Sequence, residues 1–163
     1  MLLEFKVGNY KSFKEPVTFS MVASSLKEHW ETHVFETQKV NLLKSTLIYG
    51  ANASGKSNFF DAILFMKEFV SSSAKDTQIT EKINIEHFRL STETEEKPSL
   101  FEIIFLINRI RYRYGFQVSE NRVEAEWLFY VPTTKEAKLF TRKENNIVLG
   151  PNFKEGKGIE VIS

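Results

Sequence analysis

The sequence contains no cysteine, which removes disulfide staples and thiolate metal sites and fits a reducing compartment. Four prolines and seven glycines in 163 residues are too few for a fibrous or low-complexity chain. An excess of either charge is also missing. Twenty-two basic residues face 21 acidic ones, a formal net charge of +1, so no global field marks the chain for nucleic acid or a membrane surface. Long apolar runs are absent as well: no window approaches the roughly 18 residues that a membrane-spanning helix needs. The opening Met1-Leu2-Leu3-Glu4-Phe5-Lys6 puts charges where a signal peptide needs apolar residues. Together these absences predict a cytoplasmic chain that is neither exported nor membrane-spanning.

Aromatic residues are what the chain has in quantity. Fifteen phenylalanines, five tyrosines and two tryptophans concentrate in segments that alternate like strands, which predicts one domain with a sheet-rich core. Leu3–Val7 and Val17–Val22 alternate with period two and read as a first hairpin within residues 1–22. Residues 23–41 have no sustained period and read as an irregular stretch with a short helix and strand. Leu43–Tyr49 is apolar and runs straight into Gly50, the pattern of a buried strand entering a tight turn. Ser57–Phe69 carries Phe59, Ile63, Met66 and Val70 on one helical stripe with Phe60, Leu64 and Phe65 beside it, predicting a helix buried on a wide face and stopped by Ser71-Ser72-Ser73. Residues 74–83 read as a polar loop.

Residues 84–149 read as antiparallel hairpins. Leu100–Ile107 and Ile110–Val118 flank Asn108-Arg109, in a register that sets Phe105 opposite Tyr112 and Ile103 opposite Tyr114. A further strand after the turn at Ser119–Arg122 is expected to put Trp127 opposite Tyr114 and Ala125 opposite Phe116, on that same core face. The reverse face, with Glu102, Arg111, Arg113, Gln117, Glu124 and Glu126, reads as solvated. Ala137–Thr141 and Ile147–Leu149 add one more hairpin.

Chemistry enters at residues 50–57. Gly50-Ala51-Asn52-Ala53-Ser54-Gly55-Lys56-Ser57 matches G-x-x-x-x-G-K-[ST] between an expected strand and an expected helix, the context of a phosphate-binding P-loop. The glycines permit backbone angles and close approach that a Cβ forbids, so successive N–H groups converge on an anion. The helix start adds further N–H groups and the positive end of its dipole. Lys56 is the expected partner of the β- and γ-phosphates of ATP, and the Ser57 hydroxyl the expected ligand of Mg²⁺. Hydrolysis also needs an aspartate ending an apolar strand and a group that orients water. The best apolar runs, Ile103–Ile107 and Trp127–Val131, are followed by Asn108 and Pro132, so the shell is incomplete.

Three motifs in order, Asn9-Tyr10-Lys11-Ser12-Phe13, then Gly50–Ser57 with Asn58, then Asp61-Ala62-Ile63, resemble the N-terminal lobe of SMC-like ABC ATPase heads. Within that group the chain is similar to bacterial AAA-type ATPases linked to abortive infection and other anti-phage systems. The resemblance implies an α/β P-loop NTPase fold in which a largely antiparallel sheet packs on the P-loop helix, residues 1–163 forming the first lobe. It implies that Walker B, the ABC signature and a switch histidine reside in a second lobe or partner chain, and that complete heads dimerise around ATP. It places Lys11 and Ser12 near the nucleotide, beside Gly50, Ala51, Asn52, Ala53, Ser54, Gly55, Lys56, Ser57 and Asn58. Ala53 stands where many relatives have glycine, a slight stiffening of the loop.

Other features weigh less. Leu90-Ser91-Thr92-Glu93 begins like an ABC signature but lacks its glycines and precedes Pro98, so it reads as a loop. Gln78 and Gln117 are the candidates for a Q-loop glutamine, without supporting context. His29 and His33 share a helical spacing without the zincin glutamate position, and His87 is isolated. Lys138, Arg142, Lys143, Lys154 and Lys157 make a mildly basic last third, a weak footprint for nucleic acid.

Overall fold

A computed structural model describes residues 1–37, 40–73 and 82–156. Strands β1 (Leu2–Gly8) and β2 (Val17–Ser20) form the first hairpin. A short helical turn α1 (Trp30–His33) leads to the two-residue strands β3 (Val34–Phe35) and β4 (Leu42–Leu43), which pair with each other. Helix α2 (Lys56–Ser73) follows the P-loop. The long meander comprises β5 (Ser99–Ile107), β6 (Ile110–Val118), β7 (Val123–Val131), β8 (Ala137–Lys143) and β9 (Asn146–Leu149). All pairings are antiparallel, and the seven-stranded sheet runs β2-β1-β5-β6-β7-β8-β9.

The β5–β6 hairpin has the register its alternation predicts, with Phe105 opposite Tyr112 and Ile103 opposite Tyr114. Asn108 and Arg109 take φ of 50° and 67°, the left-handed pair that a two-residue turn of type I′ demands. The next hairpin departs from expectation. Val118 pairs with Val123, but Gln117 pairs with Ala125, leaving Glu124 as an unpaired extra residue. That bulge shifts the register by one and exchanges the faces of β7. Leu128, not Trp127, therefore lies opposite Tyr114, and Trp127 lies opposite Gly115 on the outer face. Gly115 makes room for the indole: a Cβ there would fall 2.6 Å from Trp127 Cζ2.

The outer face is accordingly a connected network rather than a set of solvated charges. Glu102 is buried and accepts from Lys6 Nζ at 3.3 Å, Arg113 Nη1 at 2.9 Å and Trp127 Nε1 at 2.9 Å. Arg113 also grips Glu136 through Nε and Nη2, at 3.0 and 2.7 Å, and lies over the Phe129 ring. Such a carboxylate tolerates burial because each donor is charged or aimed at it.

The core lies between α2 and the opposite face of the sheet. Phe5, Val7, Phe101, Phe116 and Val118 from the strands meet Ala62 and Met66 from α2, with Phe59, Ile63, Phe65 and Phe69 packed at its margin. Phe69 stacks on Phe116 at 4.5 Å and Phe65 tilts on Phe101 at 4.9 Å. The helix is narrower in burial than its sequence suggests, because Phe60 and Leu64 are exposed. Equally, Leu43–Tyr49 is not the buried strand expected: β4 ends at Leu43 and residues 45–50 have no regular secondary structure and no strand partner among the described residues. Leu47 and Tyr49 are 88% and 90% exposed. Their composition encodes a central strand, but a central strand forms only where neighbouring strands supply its ladder.

Candidate functional site

The P-loop bridges this bare segment and α2. Ala53 and Gly55 both adopt positive φ, 63° and 90°. Gly55 meets the steric need for glycine, since a Cβ there would stand 2.7 Å from Ser12 Oγ, and a Cβ on Gly50 would stand 2.8 Å from Ser54 Oγ. Ala53 occupies a left-handed angle that costs an L-residue about 1–2 kcal/mol, so alanine here strains the loop as well as stiffening it. Phe59 N–H donates to Gly55 O at 3.1 Å, the first bond of α2. The N–H groups of Lys56, Ser57 and Asn58 precede it and have no acceptor within the helix. Lys56 Nζ folds back onto the loop, donating to Gly50 O at 2.9 Å and Ala51 O at 2.7 Å. Ala51, Asn52, Ala53, Ser54 and Ser57 are exposed.

The Asn9–Phe13 element is the support of this loop. Asn9 is buried with φ 47°, and its Nδ2 donates to Thr94 O at 2.9 Å and Lys97 O at 2.6 Å while Oδ1 accepts from Phe88 N–H. It clamps the segment before β5. Tyr10 is buried against Phe65 and Phe101. Lys11 Nζ donates to Asp61 Oδ2 at 2.7 Å, one turn into α2, and lies 3.7 Å from Glu86 Oε1. The Asp61 hydrogen bond raises the Lys11 pKa above the ordinary lysine value, so the ammonium is retained. Ser12 meets Gly55. Lys11, Ser12 and the P-loop, separated by some forty residues of sequence, thus converge on the first two turns of α2. Lys11 and Asn58 share a small polar cleft with Glu86, His87 and Arg89.

Against this geometry, one family matches: residues 45–147 fit the model of an AAA domain described as a putative AbiEii toxin of a type IV toxin–antitoxin system. The chain belongs to this AAA family. Curated proteins give no match. Membership supports a P-loop ATPase-like, nucleotide-binding role for this domain. Domains of this kind bind ATP with Mg²⁺, and the donor set fits that ligand: N–H groups without intrahelical acceptors, an ammonium and a hydroxyl at one helix start.

Other parts of the AAA domain lie apart from the site. Gln117 is in β6, paired with Leu100 and Ala125; Gln78 and Lys157 fall outside the described residues. Ser91 precedes a 3₁₀ turn at Thr92–Thr94 held by Asn9, a structural loop rather than a signature helix. His29 and His33 meet edge-to-face with ring centroids 5.4 Å apart, and no group of three metal-ligating side chains occurs among the described residues. Arg142 Nε donates to Glu144 O, and Arg122 pairs with Glu124 and Glu144, so acids thread the basic third. No helix of the described residues is long and apolar enough to cross a membrane. Sequence reasoning missed Asn9 as a clamp and Asp61 and Glu86 as partners of Lys11. The left-handed break after Gly8 was the available signal, since asparagine is favoured there.

Proposed function

We propose that this chain is the Mg-ATP-binding lobe of an SMC-like, ABC-type head acting in the cytoplasm, coupling ATP binding and hydrolysis to a conformational change or to control of an effector in anti-phage defence. One observation carries this reading: the anion cradle is flanked by an apolar surface left bare on both of its elements, Leu47 and Tyr49 before it and Phe60 and Leu64 on α2. A second lobe or partner chain that covers this surface supplies the strands beside Leu47–Tyr49, together with Walker B and the signature, and two completed heads close on ATP. Lys56 would leave the Gly50 and Ala51 carbonyls for the phosphates, and the Ser57 hydroxyl would hold Mg²⁺. Asn58, Lys11 and Ser12 border the nucleotide. Bound Mg²⁺ supplies neutralisation of phosphate charge.

The test is titration of the purified 163-residue chain with a fluorescent ATP analogue, with and without Mg²⁺, alongside a turnover assay. Binding without turnover is expected. Lys56→Ala should weaken binding about 10- to 100-fold, the loss of one charge-assisted contact. Ser57→Ala should weaken the Mg²⁺-dependent affinity more than the metal-free one. Robust turnover by the chain alone, abolished by Lys56→Ala, refutes the split-site reading; equal Ser57→Ala losses with and without Mg²⁺ refute the metal role.

A further inference from the structure

The sheet is wider than the helix that covers it. Seven strands at about 4.8 Å span about 29 Å, and a helix with its side chains is about 10 Å across. Helix α2 packs over β1, β5 and β6, and the same face continues past it across β7 and β8, where Leu128 and Phe140 are half-buried and Phe153 stacks on Phe140. Between the two lies an open groove of about 780 Å³. Ile63, Met66 and Val70 form its helical wall, and Phe105, Leu128 and Phe140 its floor. An apolar strip of this kind, continuous with the core, marks an interaction surface rather than a solvated one.

The polar groups of the groove define what fits. Tyr114 OH donates to Glu126 Oε1 at 2.8 Å, so the one carboxylate at the floor already has a donor from within the chain. Lys67 stands on the helical wall and Arg142 on the sheet side. Among the described residues Lys67 has no ion pair, and Arg142 is tied only through Nε to Glu144 O. The groove therefore presents a mainly apolar floor, with the Glu126 carboxylate held by Tyr114, between two basic side chains.

We propose that this groove docks an amphipathic helix of a partner protein, laid alongside α2, whose apolar stripe at i, i+3/i+4 and i+7 covers Leu128 and Phe140 and whose flanking acidic residues meet Lys67 and Arg142. Grooves of this shape take helices through such a stripe, and the rims set charge preference. Because α2 begins at the P-loop, the docked helix touches the element whose first turn carries Lys56 and Ser57. The surface is separate from the one around Leu47 and Phe60, so it stands or falls independently of the split-head reading.

The lack of cysteine allows a clean reporter: Ser71→Cys, on the groove wall, labelled with an environment-sensitive dye. The probes are a designed 18-residue helix with a leucine stripe and glutamate flanks, and the same helix with lysine flanks. The glutamate helix should bind at least about tenfold tighter than the lysine helix, and Lys67→Glu with Arg142→Glu should invert that order. Leu128→Glu, and separately Phe140→Gln, should each weaken the glutamate helix at least about tenfold with an unchanged circular dichroism spectrum. Equal binding of both helices, no binding, or full binding by Leu128→Glu overturns the proposal. So does a dimer in sedimentation equilibrium that Leu128→Glu dissolves, which makes the face a self-interface. Dodecanoate that binds more tightly than either helix also overturns it, in favour of a small amphiphile.

Discussion

Replacing Gly55 by alanine probes the P-loop at a single atom. Gly55 has φ 90°, and an added Cβ would stand 2.7 Å from Ser12 Oγ but 3.6 Å from Ser12 Cβ. Two costs follow. Holding alanine at that angle costs about 1–3 kcal/mol, and displacing the Ser12 hydroxyl adds about 1 kcal/mol, the low end for a crowded insertion. Their sum, about 2–4 kcal/mol, corresponds to roughly 30- to 1,000-fold in a binding constant. The parts are separable, because Ser12→Ala removes Oγ and leaves only the ordinary 3.6 Å contact. A double-mutant cycle of Gly55→Ala with Ser12→Ala should therefore recover about 1 kcal/mol of coupling and leave the backbone cost intact. Both a Mg-ATP analogue titration and thermal unfolding are needed: a loop that relaxes in the free chain loses affinity, and one that holds its angle loses stability. Zero coupling refutes the Ser12–Gly55 contact. A Gly55→Ala chain that behaves as wild type in both readouts refutes the left-handed loop itself.

Two further outcomes are expected. Asn9→Ala removes the donors to Thr94 O and Lys97 O and should cost about 1–3 kcal/mol. Amide exchange should accelerate through residues 88–97, and unchanged exchange there would show that Asn9 is no clamp. Glu136 has its pKa lowered, chiefly by the Arg113 hydrogen bond. A folded pKa below the unfolded one contributes stability that is fully present above the ordinary carboxylate value and is lost as pH falls through the lowered one. Glu136→Gln should thus flatten the acid limb of the stability curve below about pH 4.5, by no more than about 1 kcal/mol for a partly exposed pair. An acid limb identical to wild type would remove Glu136 from the account.

What could be read in advance was local. The alternation of β5 and β6 fixed their faces, because the side-chain period of a strand is two and the Asn108-Arg109 turn has one geometry that joins them. The P-loop was legible for the same reason, since its pattern of residue types lies within eight positions; Ser12, which crowds Gly55, lies outside them. Trp127 was misplaced because nothing local distinguishes a flush turn at Ser119–Arg122 from one carrying an extra residue; both give aromatic-polar alternation in β7. Leu47–Tyr49 was misread in a different way. Its residues state a preference for burial, and the surroundings that would satisfy it are not among the described elements. The Asn9 clamp joins groups 85 residues apart, and no window of sequence contains both ends.

The bulge at Glu124 also limits how β7 can change. If the bulge closed with Glu124 taken into the ladder opposite Gln117, β7 would turn over, carrying Trp127 toward α2 and Leu128 away from it. Trp127 would leave Glu102 and the space beside Gly115 at the same moment. Point substitutions along β7 can be tried by evolution one at a time. A one-residue slip of β7 against β6 cannot, because it demands compensating changes on both faces of the strand together.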